Sequence, residues 1–389
     1  MLLHVGTSAV RCLGKAISTS EADALYSESS VRSQYQLPQD AEFEIPSSFR
    51  FGYLRGFEAG AARKLGHFRE QNTHRVLFIS TNRVEMHINA FGSLESLKKL
   101  MLKCASLERL PDSICSLREL HMMELSDCRN LEELPIDIGC LENIQSLIIE
   151  NDSGSRGRLK ELPASIGDLE RLEMLTVYST RLQGLPSRLG DLRALKTLVV
   201  RSEALEDIPT SLSRLQSLEN LRLEGKLVRE NGETAAEFLS DGFTHLTNLQ
   251  TLVLISQRLE RLPDNLANLK KLQRLDLQCP EVFTLPDSWE ALPELRRMKL
   301  SCLSKSLTGR WGGMAALQKL KVSLCRELTS FPDSLGELKA LHTLQISFCD
   351  ELRSLPVSVG RLEMLQKLTV EHCAKLESLP ESLGQLTSL

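Results

Sequence analysis

The chain has 389 residues, with 47 Lys+Arg against 51 Asp+Glu, a formal net charge of -4, 42% hydrophobic residues and 5% aromatics. This balance excludes a strongly basic nucleic-acid binder and an acidic disordered tail. No apolar run reaches the roughly 18 residues that a membrane-crossing helix needs, so no membrane insertion is expected.

Residues 1–73 follow no repeating frame. The first stretch is free of acids up to Glu21, and Arg11 and Lys15 interrupt the apolar core that a secretory signal would need. It reads as an unstructured leader. Beyond it, Ser, Gln and scattered aromatics (Phe49, Phe51, Tyr53, Phe57) mix with Arg50 and Arg55. The whole segment is expected to be poorly structured or a partial cap.

From residue 94 onward the composition changes: 67 of the 75 leucines fall in these 296 residues. A fixed period is the signature of stacked repeats. The clearest unit runs Leu120, Met123, Leu125, Cys128, Leu131, Leu134, Pro135, Ile138, Leu141. Its frame recurs from Leu97, Ile144, Leu172, Leu195, Leu218, Leu249, Leu272, Leu295, Leu317, Leu341 and Leu365, and Leu389 would open one more. A degenerate unit starts at His74, which gives about thirteen units over residues 74–389. Two insertions, 151–158 and 225–241, lengthen the units that begin at Ile144 and Leu218.

Each unit predicts a short strand, a turn and a helical return. Leu-x-Leu steps such as Leu221/Leu223 and Leu275/Leu277 have the strand period of two, so the leucines enter a core and the intervening residues face outward. The next unit must cover that core, at roughly 1.5 to 3 kcal/mol for each fully buried Leu or Ile. The recurring Leu-Pro step, as at Leu134-Pro135, Leu185-Pro186 and Leu355-Pro356, puts a residue without a backbone donor where a short helical turn starts. In the 24-residue units a Cys marks the turn after the strand (Cys128, Cys325, Cys349, Cys373). Counting forward from the Leu that opens each unit places Thr180, Glu203, Gln257 or Pro280 there in the 23-residue units. On the same count Cys104, Cys279 and Cys302 lie one position earlier, partly exposed, and such free thiols suggest a reducing compartment.

Catalytic chemistry finds no foothold. The sequence has no phosphate-binding loop, no G-x-S-x-G, no H-E-x-x-H and no Cys/His set at metal-ligand spacing. No cofactor, no metal and no enzymatic activity are expected. The outward strand residues are the natural place for a partner. Ile148, Met174, Tyr178, Val199, Val253 and Ile255 form an expected apolar centre. Arg274, Arg297, Lys299, Lys319 and Lys321 form a basic stripe beyond it, and Lys99, Met101 and Lys103 open the series. A protein ligand with an apolar anchor and an acidic rim would match; the net charge and the few aromatics speak against nucleic acid.

These units resemble the leucine-rich repeat family over residues 74–389. The stretches Cys325–Leu338 and Cys373–Leu386 look like the repeat region of plant intracellular disease-resistance proteins, and also like plant Ras-group leucine-rich-repeat proteins. The resemblance implies an α/β solenoid, a horseshoe with a parallel sheet on its concave face and short helical turns or loops on its convex face. It also implies a cytoplasmic recognition module for a protein ligand on the concave face. A scaffold for small-GTPase or kinase signalling, or a piece of a larger NTPase or kinase, are the alternatives.

Overall fold

A computed structural model describes residues 5–6, 9–10, 51–55, 76–81, 91, 94–151, 157–227, 245–260, 262, 264–282, 292–302, 305, 307 and 311–389. Most of both insertions, 152–156 and 228–244, lies outside the described residues. The chain divides into two compact units, Met1–Thr180 and Arg181–Leu389.

In the first unit β1 (Val5–Gly6) and β2 (Ala9–Val10) form a short antiparallel pair. The strands β3 (Phe51–Arg55), β4 (Val76–Thr81), β5 (Lys99–Cys104), β6 (Met122–Ser126), β7 (Ser146–Glu150) and β8 (Met174–Tyr178) then pair in parallel, each with the next. Parallel pairing thus includes a segment before the first unit of the frame, with Phe51 in register with Val76. The second unit repeats the arrangement with β9 (Thr197–Arg201), β10 (Asn220–Glu224), β11 (Thr251–Ile255), β12 (Arg274–Gln278), β13 (Arg297–Ser301), β14 (Lys319–Ser323), β15 (Thr343–Ser347) and β16 (Lys367–Glu371). This is the leucine-rich-repeat solenoid architecture.

Register keeps like with like. Leu198, Leu221, Leu252, Leu275, Met298, Leu320, Leu344 and Leu368 form one row across β9 to β16. Because side chains alternate between faces, a slip of one residue in any strand would turn its leucines outward. Stacking makes that costly.

The return path is 3-10 helix, and the leucine spacing explains it. Ile114, Leu117 and Leu120 are three apart, and Leu117 N–H donates to the Ile114 carbonyl and Leu120 N–H to the Leu117 carbonyl, both at 3.0 Å. With three residues per turn, positions i and i+3 share one face, so all three enter the core. Proline stands just before the turn, extended at φ -71 for Pro111 and -66 for Pro186, and its carbonyl accepts the first bond, from Ile114 and Leu189 respectively. Proline therefore ends the extended segment and starts the turn without losing a needed donor.

Glycine lets these turns stack closely. A Cβ on Gly190 would stand 2.1 Å from the carbonyl oxygen of Ser211 in the next turn, and one on Gly336 would stand 2.2 Å from that of Ser358. Serine supplies a bond across the same gap: Ser211 Oγ donates to the Ser187 carbonyl at 2.5 Å and Ser382 Oγ to the Val357 carbonyl at 2.7 Å.

That each unit is covered by its successor is visible at β16. Leu355 is 4% exposed, whereas Leu379, one unit later in the frame, is 50% exposed. Leu368 and Val370 on β16 are half-buried, while Leu344 and Ile346 on β15 are fully buried. The same residue types in the same local geometry differ only in having a neighbour on both sides.

The turn after the strand differs from the expectation. In the 22- and 23-residue units the residue that immediately follows the strand is the buried one: Ser179, Ser202, Ser256, Cys279 and Cys302. Ser179 Oγ donates to the Leu159 carbonyl at 2.8 Å, Ser202 Oγ to the Leu182 carbonyl at 2.7 Å and Ser256 Oγ to the Lys226 carbonyl at 2.5 Å. Thr180, Glu203, Gln257 and Pro280 are the residues after these. Cys104, Cys279 and Cys302 are consequently buried, not partly exposed.

The 24-residue units insert one residue ahead of the buried post. Asp127, Leu324, Phe348 and His372 precede Cys128, Cys325, Cys349 and Cys373, and all four have positive φ, from 52 to 59. The left-handed residue absorbs the extra length and returns the Cys to the interior. For a residue other than glycine this conformation costs about 1–2 kcal/mol. The four thiols then bond to carbonyls two residues back, at Ser126, Ser323, Ser347 and Glu371.

Burial pushes the Cys128 thiol up to about 12 and the Cys279 thiol up to about 12. Cys325 is pushed up by its hydrogen bond with Cys302, 3.8 Å away, and by burial. Among the described residues no group of His, Cys, Asp or Glu is placed to hold a metal ion. Cys115 and Cys140, on consecutive return turns, form a disulfide. The exposed free thiols that pointed to a reducing compartment are therefore absent from Cys104, Cys279 and Cys302, and only Cys373 of the described free cysteines is part-exposed.

Candidate partner-binding face

The outward face of each strand carries the first, third and fifth residue. In the first unit Ile148 stands between Glu124 and Thr176, Met174 beside Ser146, and Tyr178 beside Glu150. Met174 is 39% exposed, and Ile148 and Tyr178 are half-buried. On β5, Lys99, Met101 and Lys103 face the same way, and Lys103 pairs with Asp127 at 2.5 Å.

In the second unit the apolar residues are not contiguous. Val199 and Ile255 are separated by β10, whose Arg222 and Glu224 stand in register with them. Arg201 and Arg222 both pair with Glu224, at 3.1 and 2.9 Å, so both cations here have a counter-charge. Val253, between Arg222 and Asp276, is only 5% exposed and offers almost no surface.

The basic stripe is contiguous. Arg274, Arg297 and Lys319 occupy one row, and Lys299 and Lys321 the next, across β12 to β14. Asp276 is buried in their midst. It accepts from Gln278 Nε2 at 3.1 Å and lies 3.8 Å from Arg274 and 3.9 Å from Lys299. A buried carboxylate is tolerable only with such partners, and one acid fixes two cations while leaving the field positive. Arg297, Lys319 and Lys321 have no ion-pair partner among the described residues. The fifth positions beside them are neutral: Gln278, Ser301, Ser323 and Ser347.

Sequence reasoning missed two groups here. Asp276 occupies an outward position like any other, and only its lateral neighbours reveal its burial. Leu324, Phe348 and His372 follow β14, β15 and β16, with Leu324 49% and Phe348 46% exposed and His372 also exposed. The Phe348 and His372 rings stack with centroids 4.6 Å apart and planes 12° from parallel. Their signal was the 24-residue spacing.

The sequence matches the family model of a leucine-rich repeat region over residues 153–327. No curated protein matches in sequence. Among solved structures the chain is similar to a leucine-rich-repeat protein of Leptospira interrogans, with a TM-score of 0.57 and 22% identity over 85% of this chain and 90% of that one. It is also similar to a TDR receptor, with a TM-score of 0.54 and 19% identity over 82% of this chain and 59% of that one. Likeness at this level of identity concerns the fold.

Proposed function

We propose that this leucine-rich-repeat protein is a non-catalytic recognition module that binds a protein ligand on the outward face of its strands, as the ligand-recognition part of a plant intracellular immune protein. The observation that carries the binding reading is the cluster of Arg297, Lys319 and Lys321 on β13 and β14, with Arg297 in register with Lys319 and none of the three having an ion-pair partner among the described residues. Keeping such a cluster uncompensated has no value to the fold, since exposed pairs across strands would be mildly stabilising and like charges in register are not. An external acidic partner removes the repulsion. The immune reading and the cytoplasmic location rest on the resemblance of the Cys-containing 24-residue units quoted above. No helix among the described residues is long and apolar enough to cross a membrane.

The test is photo-crosslinking in plant cell extract from probes placed on the outward face, at Tyr178, Val199 and Lys321, against a control probe at Ile136 on a return turn. The reading expects one protein captured from the strand-face probes and lost with Tyr178→Asp or Val199→Asp variants that keep the wild-type circular dichroism. Capture of a small GTPase only in its triphosphate-loaded form would instead assign the scaffold role. Equal capture from Ile136 would remove the face from consideration.

A further inference from the structure

The turns that follow β14, β15 and β16 carry Leu324, Phe348 and His372 in three consecutive units. Leu324 and Phe348 are each disfavoured twice, whereas His372 is itself polar. The backbone is left-handed, where glycine, asparagine or aspartate would relieve the strain, and the side chain is largely exposed, where a polar one would be better solvated. The one earlier unit with the same turn has Asp127 there, which suits both conditions and pairs with Lys103. Retained strain at an exposed apolar position points to use rather than to stability.

The placement of this ladder matters. Lys321 precedes Leu324 by three residues, roughly 10 Å along an extended chain, and Lys319 by five, roughly 17 Å. Arg297 and Lys299 stand in register with Lys319 and Lys321 on the adjacent strand. A positive field and an apolar ledge therefore lie end to end along β14.

We propose that this surface binds an extended acidic peptide segment carrying one large apolar or aromatic residue three to five positions from its carboxylates. The carboxylates engage Arg297, Lys319 and Lys321, and the apolar side chain packs on Leu324 and the stacked Phe348–His372 pair. The proposal rests on the reading that the strand face binds protein, and adds the partner's chemistry and its apolar anchor point. Charge complementarity favours a protein segment over nucleic acid, because the contiguous cations span only β12 to β14 and the next strand carries the neutral Thr343 and Gln345 in their rows. A polyanion would gain nothing from the ledge.

Fluorescence anisotropy with the intact protein tests this. The probe is a labelled Glu-Asp-Glu-Ser-Gly-Trp peptide, compared with one in which Ser replaces Trp, one in which Ser replaces the acids, and oligodeoxythymidine. The full peptide is expected to bind at least tenfold more tightly than either truncated form and to weaken with salt. K319E/K321E and F348N are each expected to weaken it tenfold or more. F348N is also expected to raise the thermal midpoint, since asparagine accepts the left-handed backbone; a lowered midpoint would mark Phe348 as structural and overturn its role here. Equal binding of the Trp-less peptide or of oligodeoxythymidine would show a plain polyanion patch and overturn the proposal. If no peptide binds while the Tyr178 or Val199 probe still captures a protein from K319E/K321E, the recognition reading stands and this proposal falls. If no strand-face probe captures anything, both fall.

Discussion

Ser202 Oγ donates to the carbonyl of Leu182, 2.7 Å away in the preceding repeat, and accepts from the backbone N–H of Ala204 at 3.2 Å. One buried hydroxyl thus joins two repeats and closes its own turn. Ser202→Ala leaves a buried carbonyl and a part-buried N–H without this partner, and is expected to cost about 1–3 kcal/mol. Ser202→Cys should cost less, because Cys104, Cys279 and Cys302 occupy the same post in other repeats. Urea unfolding of the two variants checks the order. Equal losses would show that volume, not hydrogen bonding, sets the choice at this post.

The same post shows what the sequence revealed and what it hid. The strand register was legible, because Leu-x-Leu occurs at fixed intervals and a parallel stack aligns equal intervals. Counting forward from the Leu that opens the repeat nevertheless put Pro280 rather than Cys279 at the buried position. The count presumed that the turn has one length, whereas the left-handed residue at Asp127, Leu324, Phe348 and His372 adds one only in the 24-residue repeats. The basic row was legible as a list of outward residues. That Arg222 has an ion-pair partner and Lys321 has none among the described residues was not, since both depend on which side chains the adjacent strands bring alongside.

Gly190 and Gly384 occupy the same place in their repeats and should respond oppositely to Ala. At Gly190 the new Cβ would stand 2.1 Å from a backbone oxygen that cannot move without its turn, and a loss of about 1–3 kcal/mol is expected. At Gly384 nothing lies within 4 Å, so the loss of chain freedom in the unfolded state should dominate, with a gain of about 0.4–1 kcal/mol. Thermal denaturation of the pair separates backbone crowding from any general intolerance of the turn to a side chain.

The buried thiols make stability fall in alkali. Cys128 and Cys279 are held protonated by burial up to about 12, against 9.0 for the free thiol. Between those values the unfolded chain has released its protons and the folded chain has not. The unfolded state binds fewer protons there, so stability decreases as pH rises from about 9 to about 12, and below 9 the groups contribute no pH dependence. The limiting slope is about 1.4 kcal/mol per pH unit for each thiol. The Cys128→Ser, Cys279→Ser double variant should unfold in urea with a flatter pH profile between 9 and 11. An unchanged profile would mean that these thiols ionise in the folded protein.

Cys115 and Cys140 join two return turns across a separation of 25 residues. Closing a loop of that size in the unfolded chain is worth roughly 3.5 kcal/mol on the chain-entropy account. Under oxidising conditions Cys115→Ser is therefore expected to lower stability by up to about 3 kcal/mol. With excess dithiothreitol the wild type should fall to the level of the variant. The same pair bears on location. A reducing compartment keeps such thiols open. Alkylation of living cells before lysis, followed by peptide mapping without reduction, should find Cys115 and Cys140 alkylated if the protein resides in the cytoplasm as proposed. Recovery of the two peptides still linked would place it in an oxidising environment, and the intracellular immune reading would then give way while the repeat stack and its binding face remained.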